Sequence, residues 1–87
     1  MSKILSQEGK KNIIGKQLIE LRKKYHLSQR DLASKLQLAG YNLDKNVITR
    51  IETYQRYVSD IEIKGLCEIF HIDANDLLGI SKQNKKS

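Results

Sequence analysis

Three polar side chains near the middle of the chain have the chemistry and the spacing of a hydrogen-bonding surface. Asn46, Thr49 and Arg50 recur at intervals of three and one residues, which place them on one face of an α-helix. Together they offer an amide, a hydroxyl and a guanidinium, which are groups that can pair with base edges in a major groove. The same spacing also fits the solvated side of a helix in any small domain, so the surrounding sequence decides between the two interpretations.

The other side of this segment predicts a buried face. Val47, Ile48 and Ile51 form an apolar stripe at helical spacing, and Asp44 is a favourable N-cap residue type. Glu52 lies at the edge of the stripe, where a carboxylate is costly unless it is paired. We therefore expect one short helix, around residues 45–53, with a core side and a polar side.

Length and composition limit the class of protein. Eighty-seven residues fit one domain, and a domain of that size buries only about 60% of its unfolded surface, so a deep enclosed active site is not expected. The absence of Pro and the presence of only 5 Gly favour helices. No apolar run approaches the roughly 18 residues of a membrane span, and residues 1–11 lack the apolar core of a signal peptide. The single cysteine excludes an internal disulfide, so we expect a cytoplasmic protein.

The net charge of +6 is distributed unevenly along the chain. Residues 1–27 hold seven Lys or Arg against two acids, whereas residues 58–80 hold one against five. Such asymmetry suits a polyanion bound on one side of the molecule, although a basic surface that serves only solubility is an equal alternative from charge alone.

Hydrophobic periodicity and capping residues predict helices on both sides of the central one. Ser28 and Ser59 each begin a capping box, with an acid three residues later. Asp73 is an N-cap for the last helix, and Gly79 has the residue type that ends it. Residues 1–11 are predicted to be a flexible basic arm, 53–58 a loop, and 80–87 a flexible Lys-rich tail. The five predicted helices span approximately residues 12–25, 28–38, 45–53, 59–71 and 73–78.

Four segments then occur in a characteristic order: residues 27–36 (LSQRDLASKL), 48–52 (ITRIE), 66–72 (LCEIFHI) and 76–79 (DLLG). Together they resemble the Cro/XRE-type helix-turn-helix DNA-binding family, and the resemblance covers roughly residues 12–79. It implies an all-α, five-helix, repressor-like (lambda-repressor-like) domain that binds double-stranded DNA as a homodimer and regulates transcription, usually as a repressor.

The resemblance also implies a role for individual residues. Gln29 matches a residue that binds phosphate and braces the recognition helix, and Glu52 matches one that pairs with an Arg at the position of Arg22; the alternative is two exposed charges without contact. The base-reading positions are Lys45, Asn46, Thr49 and Arg50, and the positions that grip the DNA backbone are Gln29, Tyr54, Gln55 and Arg56.

The chain departs from the family pattern in its turns. Gln37 stands where the family often has Gly, and about five additional residues precede the recognition helix. Residues 37–43 either lengthen the second helix or form a larger loop, and we expect Leu38 and Leu43 to point inward. A second departure is Thr53-Tyr54, where the family often has a turn that contains Gly.

Other functions have less support. An antitoxin-type module that neutralises a toxin and autoregulates its promoter is the main alternative within the same fold. Single-stranded RNA binding would need clustered aromatic side chains, and Tyr41, Tyr54 and Tyr57 are few and lie in predicted loops. One Cys and two distant His do not make a zinc site, and the carboxylates are not paired for catalysis. We expect no enzyme activity, metal or cofactor.

Overall fold

A computed structural model describes residues 9–80, and within that range the chain forms five α-helices and no strand. The helices are α1 (Gly15–Lys24), α2 (Gln29–Leu38), α3 (Lys45–Glu52), α4 (Asp60–Phe70) and α5 (Ala74–Leu78). The predicted all-α class is therefore confirmed for this part of the chain. None of these helices is long and apolar enough to cross a membrane.

Four helices begin at the side-chain caps that the sequence predicts. α2 and α4 begin with complete capping boxes at Ser28 and Ser59. In each box the serine hydroxyl accepts from the N–H of the residue three positions later, and the acidic side chain of that residue accepts from the N–H of the serine. α3 and α5 begin at Asp44 and Asp73, whose carboxylates each accept from the backbone N–H three residues later. Each cap satisfies donors that have no partner inside the helix.

The start of α1 differs from the prediction. The helix begins at Gly15 rather than at Asn12. The side chain of Asn12 forms hydrogen bonds with two separate segments of the chain. Its Oδ1 accepts from the N–H groups of Ile14 and Gly15, both at 3.0 Å. Its Nδ2 donates to the carbonyls of Ile51 at 3.1 Å and Arg56 at 2.9 Å. Asn12 therefore joins the beginning of α1 to the end of α3 and the loop that follows.

Each of the five helices in residues 9–80 ends in the same kind of turn. One residue adopts a positive φ, and the N–H of the next residue bonds to the carbonyl five positions earlier, over 2.8–3.1 Å. Glycine is the usual residue at such a position, but three of these turns use a residue with a side chain, at a cost of about 1–2 kcal/mol each. The positive-φ residues, in chain order, are His26, Gly40, Tyr54, His71 and Gly79.

The core is one cluster to which all the described helices contribute. Leu43, in the connection before α3, is 1% exposed, as expected, whereas Leu38 is 89% exposed and the prediction for it was wrong. Because α2 continues through Leu38, helical geometry places that residue about 200° around from buried Leu36. The buried apolar residues are Ile14, Leu18, Leu32, Ala33, Leu36, Leu43, Ile48, Ile51, Leu66, Phe70 and Leu77.

Two glycines lie where segments approach each other closely. A Cβ at Gly15 would lie 2.9 Å from the carbonyl oxygens of Ile51 and Glu52, so α1 starts directly against the end of α3. A Cβ at Gly65 would lie 2.8 Å from the ring of Tyr41. The Tyr41 hydroxyl also donates to Glu68 over 2.8 Å, so the long connection between α2 and α3 is anchored on α4.

Candidate nucleic-acid interface

The two faces of α3 lie in different environments. Ile48 and Ile51 are fully buried, so the helix is fixed to the core along one side. Lys45, Asn46 and Arg50 are exposed. The polar face predicted from the sequence is therefore present, with two cations and one amide directed toward solvent.

Glu52 holds this helix in place through a buried carboxylate that is 6% exposed. Arg22 approaches it with two donors, Nε at 2.6 Å from Oε2 and Nη2 at 3.0 Å from Oε1. A third donor, Nε2 of Gln29, lies 2.8 Å from Oε1. The structure thus contains the ion pair expected between Arg22 and Glu52, and both carboxylate oxygens have charged or polar partners. The Arg22 side chain is itself fixed, because Nη1 donates to the carbonyl of Leu27 at 3.0 Å.

Gln29 links α2 to the polar side of α3. Its Oε1 lies 2.9 Å from the hydroxyl of Thr49, which donates either to that oxygen or to the carbonyl of Lys45 at 3.0 Å. The amide of Gln29 therefore contacts both Thr49 and Glu52 and joins the start of α2 to α3. Thr49 is half-buried, and its hydroxyl proton is used inside the protein, so this residue supports the exposed face more than it extends it.

The loop after α3 contains the three residues expected at a nucleic-acid backbone. Gln55 is exposed. Arg56 forms a two-pronged ion pair with Glu62, over 2.8 and 3.0 Å, and also donates to the carbonyl of Tyr57. The hydrogen bonds from Arg56 lower the pKa of Glu62, and Glu62 raises the pKa of Arg56. Arg56 therefore fastens the loop to the start of α4.

Tyr54 occupies the positive-φ position of the same loop, with a φ of 64°. Its hydroxyl accepts from the N–H of Lys16 at 3.1 Å, and its carbonyl accepts from the N–H of Lys11 at 3.0 Å. Tyr54 therefore contacts the first turn of α1 through its hydroxyl and the segment before α1 through its carbonyl.

Two lysines next to this loop were not assigned a site from the sequence. Lys10 Nζ lies 4.7 Å from the ring centroid of Tyr54, and Lys11 Nζ lies 5.7 Å from that of Tyr57. Both lysines fall in the predicted arm over residues 1–11, of which residues 1–8 lie outside the described range. In the sequence the two lysines are adjacent, and Tyr54 and Tyr57 are three residues apart. Neither pattern indicates that the lysines contact the tyrosines.

No group of three or more His, Cys, Asp or Glu that could hold a metal ion is found within residues 9–80. Cys67 is half-buried, and burial raises the pKa of its thiol. The depressions between α2, α4 and the long connection are shallow and open to solvent.

Comparisons of the chain with models of known protein families, with curated proteins and with solved structures find no match. The chemical interpretation of the α3 surface therefore depends on the contacts described above. These are an exposed polar face, a buried apolar face, and a charged network that joins α1 and α2 to the end of α3.

Proposed function

We propose that the protein is a sequence-specific transcriptional regulator, a repressor, that binds double-stranded DNA with α2 and α3 as a helix-turn-helix and α3 in the major groove. The observation that carries this proposal is that α3 is held in place both by the core and by the hydrogen bonds of Glu52. Ile48 and Ile51 on its apolar side are fully buried, and Glu52 is held by donors from α1 and α2. Asn46 and Arg50 are exposed on the opposite side, and Lys45 is exposed in the first turn. A rigid helix that presents an amide and two cations fits the dimensions and the donor–acceptor pattern of a major groove.

The proposed contacts follow from side-chain chemistry. Arg50 pairs with guanine and Asn46 with adenine in a two-pronged manner, and Lys45 reaches an adjacent acceptor. Thr49 offers a contact at the edge of this face. Gln55, which is exposed, donates to a phosphate beside the groove, and the Tyr54 hydroxyl keeps its own proton for a second one. Gln29 and Arg56 contribute only the N–H groups that are not bonded to Glu52, Glu62 and Tyr57.

Charge distribution supports the same orientation. The basic residues are concentrated before residue 58, and α4 and α5 carry Asp60, Glu62, Glu68 and Asp76. A duplex bound along α3 would therefore approach the basic part of the molecule and avoid the acidic helices. Affinity for duplex DNA should fall steeply as salt increases, because Lys and Arg release counterions when they bind phosphates.

The proposal includes a homodimer on DNA, with two copies of α3 in successive major grooves. In vitro selection from random duplexes with the full chain tests the function and the dimer together. We expect an enriched inverted repeat, with half-sites about one helical turn apart. No enriched sequence would refute sequence-specific binding, and an enriched single half-site would refute the dimer.

Arg50→Ala then tests the assignment of base contacts. The variant should lose about 1–3 kcal/mol of binding free energy for the selected duplex and relax the preference at one base pair. Lys35→Ala, at an exposed position of α2, serves as the control and should keep the same preference. Unchanged specificity in Arg50→Ala would assign Arg50 to the phosphate contacts instead.

A specific observation also favours the alternative function, an antitoxin-type protein-interaction module. Leu38 is 89% exposed and lies beside Ile69 at a shallow groove between α2 and α4, which suits a protein contact. If the product of a neighbouring gene arrests growth, coexpression of the wild-type chain should restore growth, whereas Leu38→Gln should not. Equal rescue by both chains, or no toxic neighbour, would argue against this function.

A further inference from the structure

The two threonines of the chain lie one helical turn apart on α3, and both donate their hydroxyl protons inside the protein. Thr53, the C-cap residue, donates to the carbonyl of Thr49 at 2.9 Å, and the carbonyl of Arg50 lies at 3.4 Å from the same hydroxyl. Thr49 donates to the carbonyl of Lys45 or to Gln29, as described above. Because a hydroxyl carries one proton, neither threonine keeps a donor for a ligand.

Thr53 lies at the centre of the exposed face of α3. At 3.6 residues per turn, it is within about 20° of Asn46 and about 160° from buried Ile51 around the helix axis. Thr53 is exposed, and its hydroxyl is bonded to the backbone of its own helix, so it presents chiefly its Cγ2 methyl group to a ligand. This bond restricts χ1 of the β-branched side chain, and the methyl group is therefore oriented before a ligand arrives.

We propose that Thr53 is a specificity-determining residue that packs its methyl group on the C5 methyl of a thymine in the major groove. The inference rests on the proposed DNA-binding function and adds an apolar contact to the hydrogen bonds assigned to Asn46 and Arg50. The C5 methyl distinguishes thymine from the other bases in the major groove, and the threonine methyl is one of the apolar groups that contact it.

The spacing along α3 also indicates where this thymine lies. Thr53 follows Arg50 by three residues, which corresponds to about 4.5 Å along the helix axis. Because successive base pairs are about 3.4 Å apart, the thymine should lie within about two base pairs of the pair that Arg50 contacts. It should lie on the side away from the pair that Asn46 contacts, since Asn46 precedes Arg50 along the helix.

Deoxyuridine tests the contact, because it has the hydrogen-bonding groups of thymine and lacks the C5 methyl. Each thymine in one half-site of the duplex selected by the wild-type chain is replaced in turn, and Kd is measured by fluorescence anisotropy. At one position the wild type should lose about fourfold in affinity, which is the effect of one buried methyl group. Thr53→Ser keeps the hydroxyl and lacks the methyl, so it should bind the thymine and deoxyuridine duplexes equally at that position.

Two further variants isolate the methyl group. Thr53→Val keeps a methyl and lacks the hydroxyl, so it should still prefer thymine to deoxyuridine. Ile61→Val removes one carbon from an exposed side chain of α4 and is the matched control, which should discriminate as the wild type does. The quantity compared is the ratio of two affinities for the same chain, so that a change in overall affinity does not alter it.

The outcomes separate this contact from the proposed function. The contact would be overturned if the wild type bound all deoxyuridine duplexes as it binds the selected one, or if Thr53→Ser discriminated as the wild type does. It would also be overturned by a selected site without thymine near the base pair that Arg50→Ala relaxes. Loss of discrimination in Thr53→Val as well as in Thr53→Ser would assign the effect to the hydroxyl instead. Only a wild-type chain that binds no duplex would refute the proposed function itself.

Discussion

Replacing Glu52 by alanine removes the acceptor that α1 and α2 share with α3. Three donors lose their partner: Nε and Nη2 of Arg22 and Nε2 of Gln29. Glu52 is 6% exposed and the Arg22 side chain 14%, so water reaches the guanidinium only in part. Breaking a buried ion pair by removing one partner costs about 3–5 kcal/mol, because a charge is left without compensation.

The structure places this variant near the lower end of that range. Arg22 keeps its hydrogen bond to the carbonyl of Leu27 and retains some access to solvent, so we expect a loss of about 3 kcal/mol in the free energy of unfolding for Glu52→Ala. For a domain of this size, each kcal/mol corresponds to about 4–8 °C in Tm, so the melting temperature should fall by about 12–24 °C. Glu52→Gln keeps the shape and one acceptor, and it should lose about 1–3 kcal/mol.

Thermal and urea unfolding followed by circular dichroism measure both variants. Glu52→Gln keeps the comparison quantitative if Glu52→Ala is unfolded at room temperature. Glu20→Ala, at an exposed position of α1, is the control and should change stability by no more than about 0.5 kcal/mol. A Glu52→Ala chain that melts within about 2 °C of the wild type would refute the reasoning.

Three further predictions concern the backbone and the loop after α3. Gly15→Ala should reduce stability in urea by about 1–3 kcal/mol, because its Cβ would lie 2.9 Å from the carbonyl oxygen of Ile51. His26→Gly should raise stability in the same assay by about 0.5–1 kcal/mol, because His26 has a φ of 58°. Arg56 lowers the pKa of Glu62 from its ordinary 4.5, so the stabilisation from that pair is present above about pH 4.5 and is lost as the pH falls through the lower folded pKa. Glu62→Gln should therefore lose less stability than the wild type when urea unfolding is repeated from pH 5 to pH 3.

Each of these predictions has a control and a contrary outcome. Ser34→Ala, on the exposed side of α2, should not be destabilising, and a Gly15→Ala chain of wild-type stability would refute the close approach. His26→Ala keeps a side chain at positive φ and should not gain stability; a gain equal to that of His26→Gly would exclude backbone strain as the cause. Glu20→Gln is the control for the pH series. If the free energy of unfolding changed with pH in the same way in the wild type and in Glu62→Gln, the result would argue against the ion pair between Arg56 and Glu62.

Local patterns in the sequence were sufficient for much of the fold. A capping box needs only a hydroxyl and an acid three residues apart, so the starts of α2 and α4 at Ser28 and Ser59 followed from adjacent residues. The two faces of α3 followed from helical spacing in the same way. The pair between Arg22 and Glu52 required the family resemblance, because 30 residues separate them and periodicity alone does not place α1 beside α3.

The remaining features depend on contacts between distant segments. Asn12 has the residue type of a helix cap, but its amide also reaches Ile51 and Arg56, and no local rule identifies those carbonyls. Arg56 was assigned to the DNA backbone from the resemblance, whereas the structure adds Glu62 as its partner. Leu38 was expected inside because it is apolar, but the exact end of α2 determines its direction.

The hydrogen bonds by which Asn12 joins α1 to the end of α3 have a consequence for folding during synthesis. Its two carbonyl acceptors lie 39 and 44 residues later in the chain, so they leave the ribosome well after α1 does. α1 can form its own backbone hydrogen bonds early, but its junction with α3 closes only once residue 56 is available. Residues 12–56 should therefore acquire their final arrangement as one cooperative unit, and a nascent chain that stops within α3 should be sensitive to protease at the start of α1.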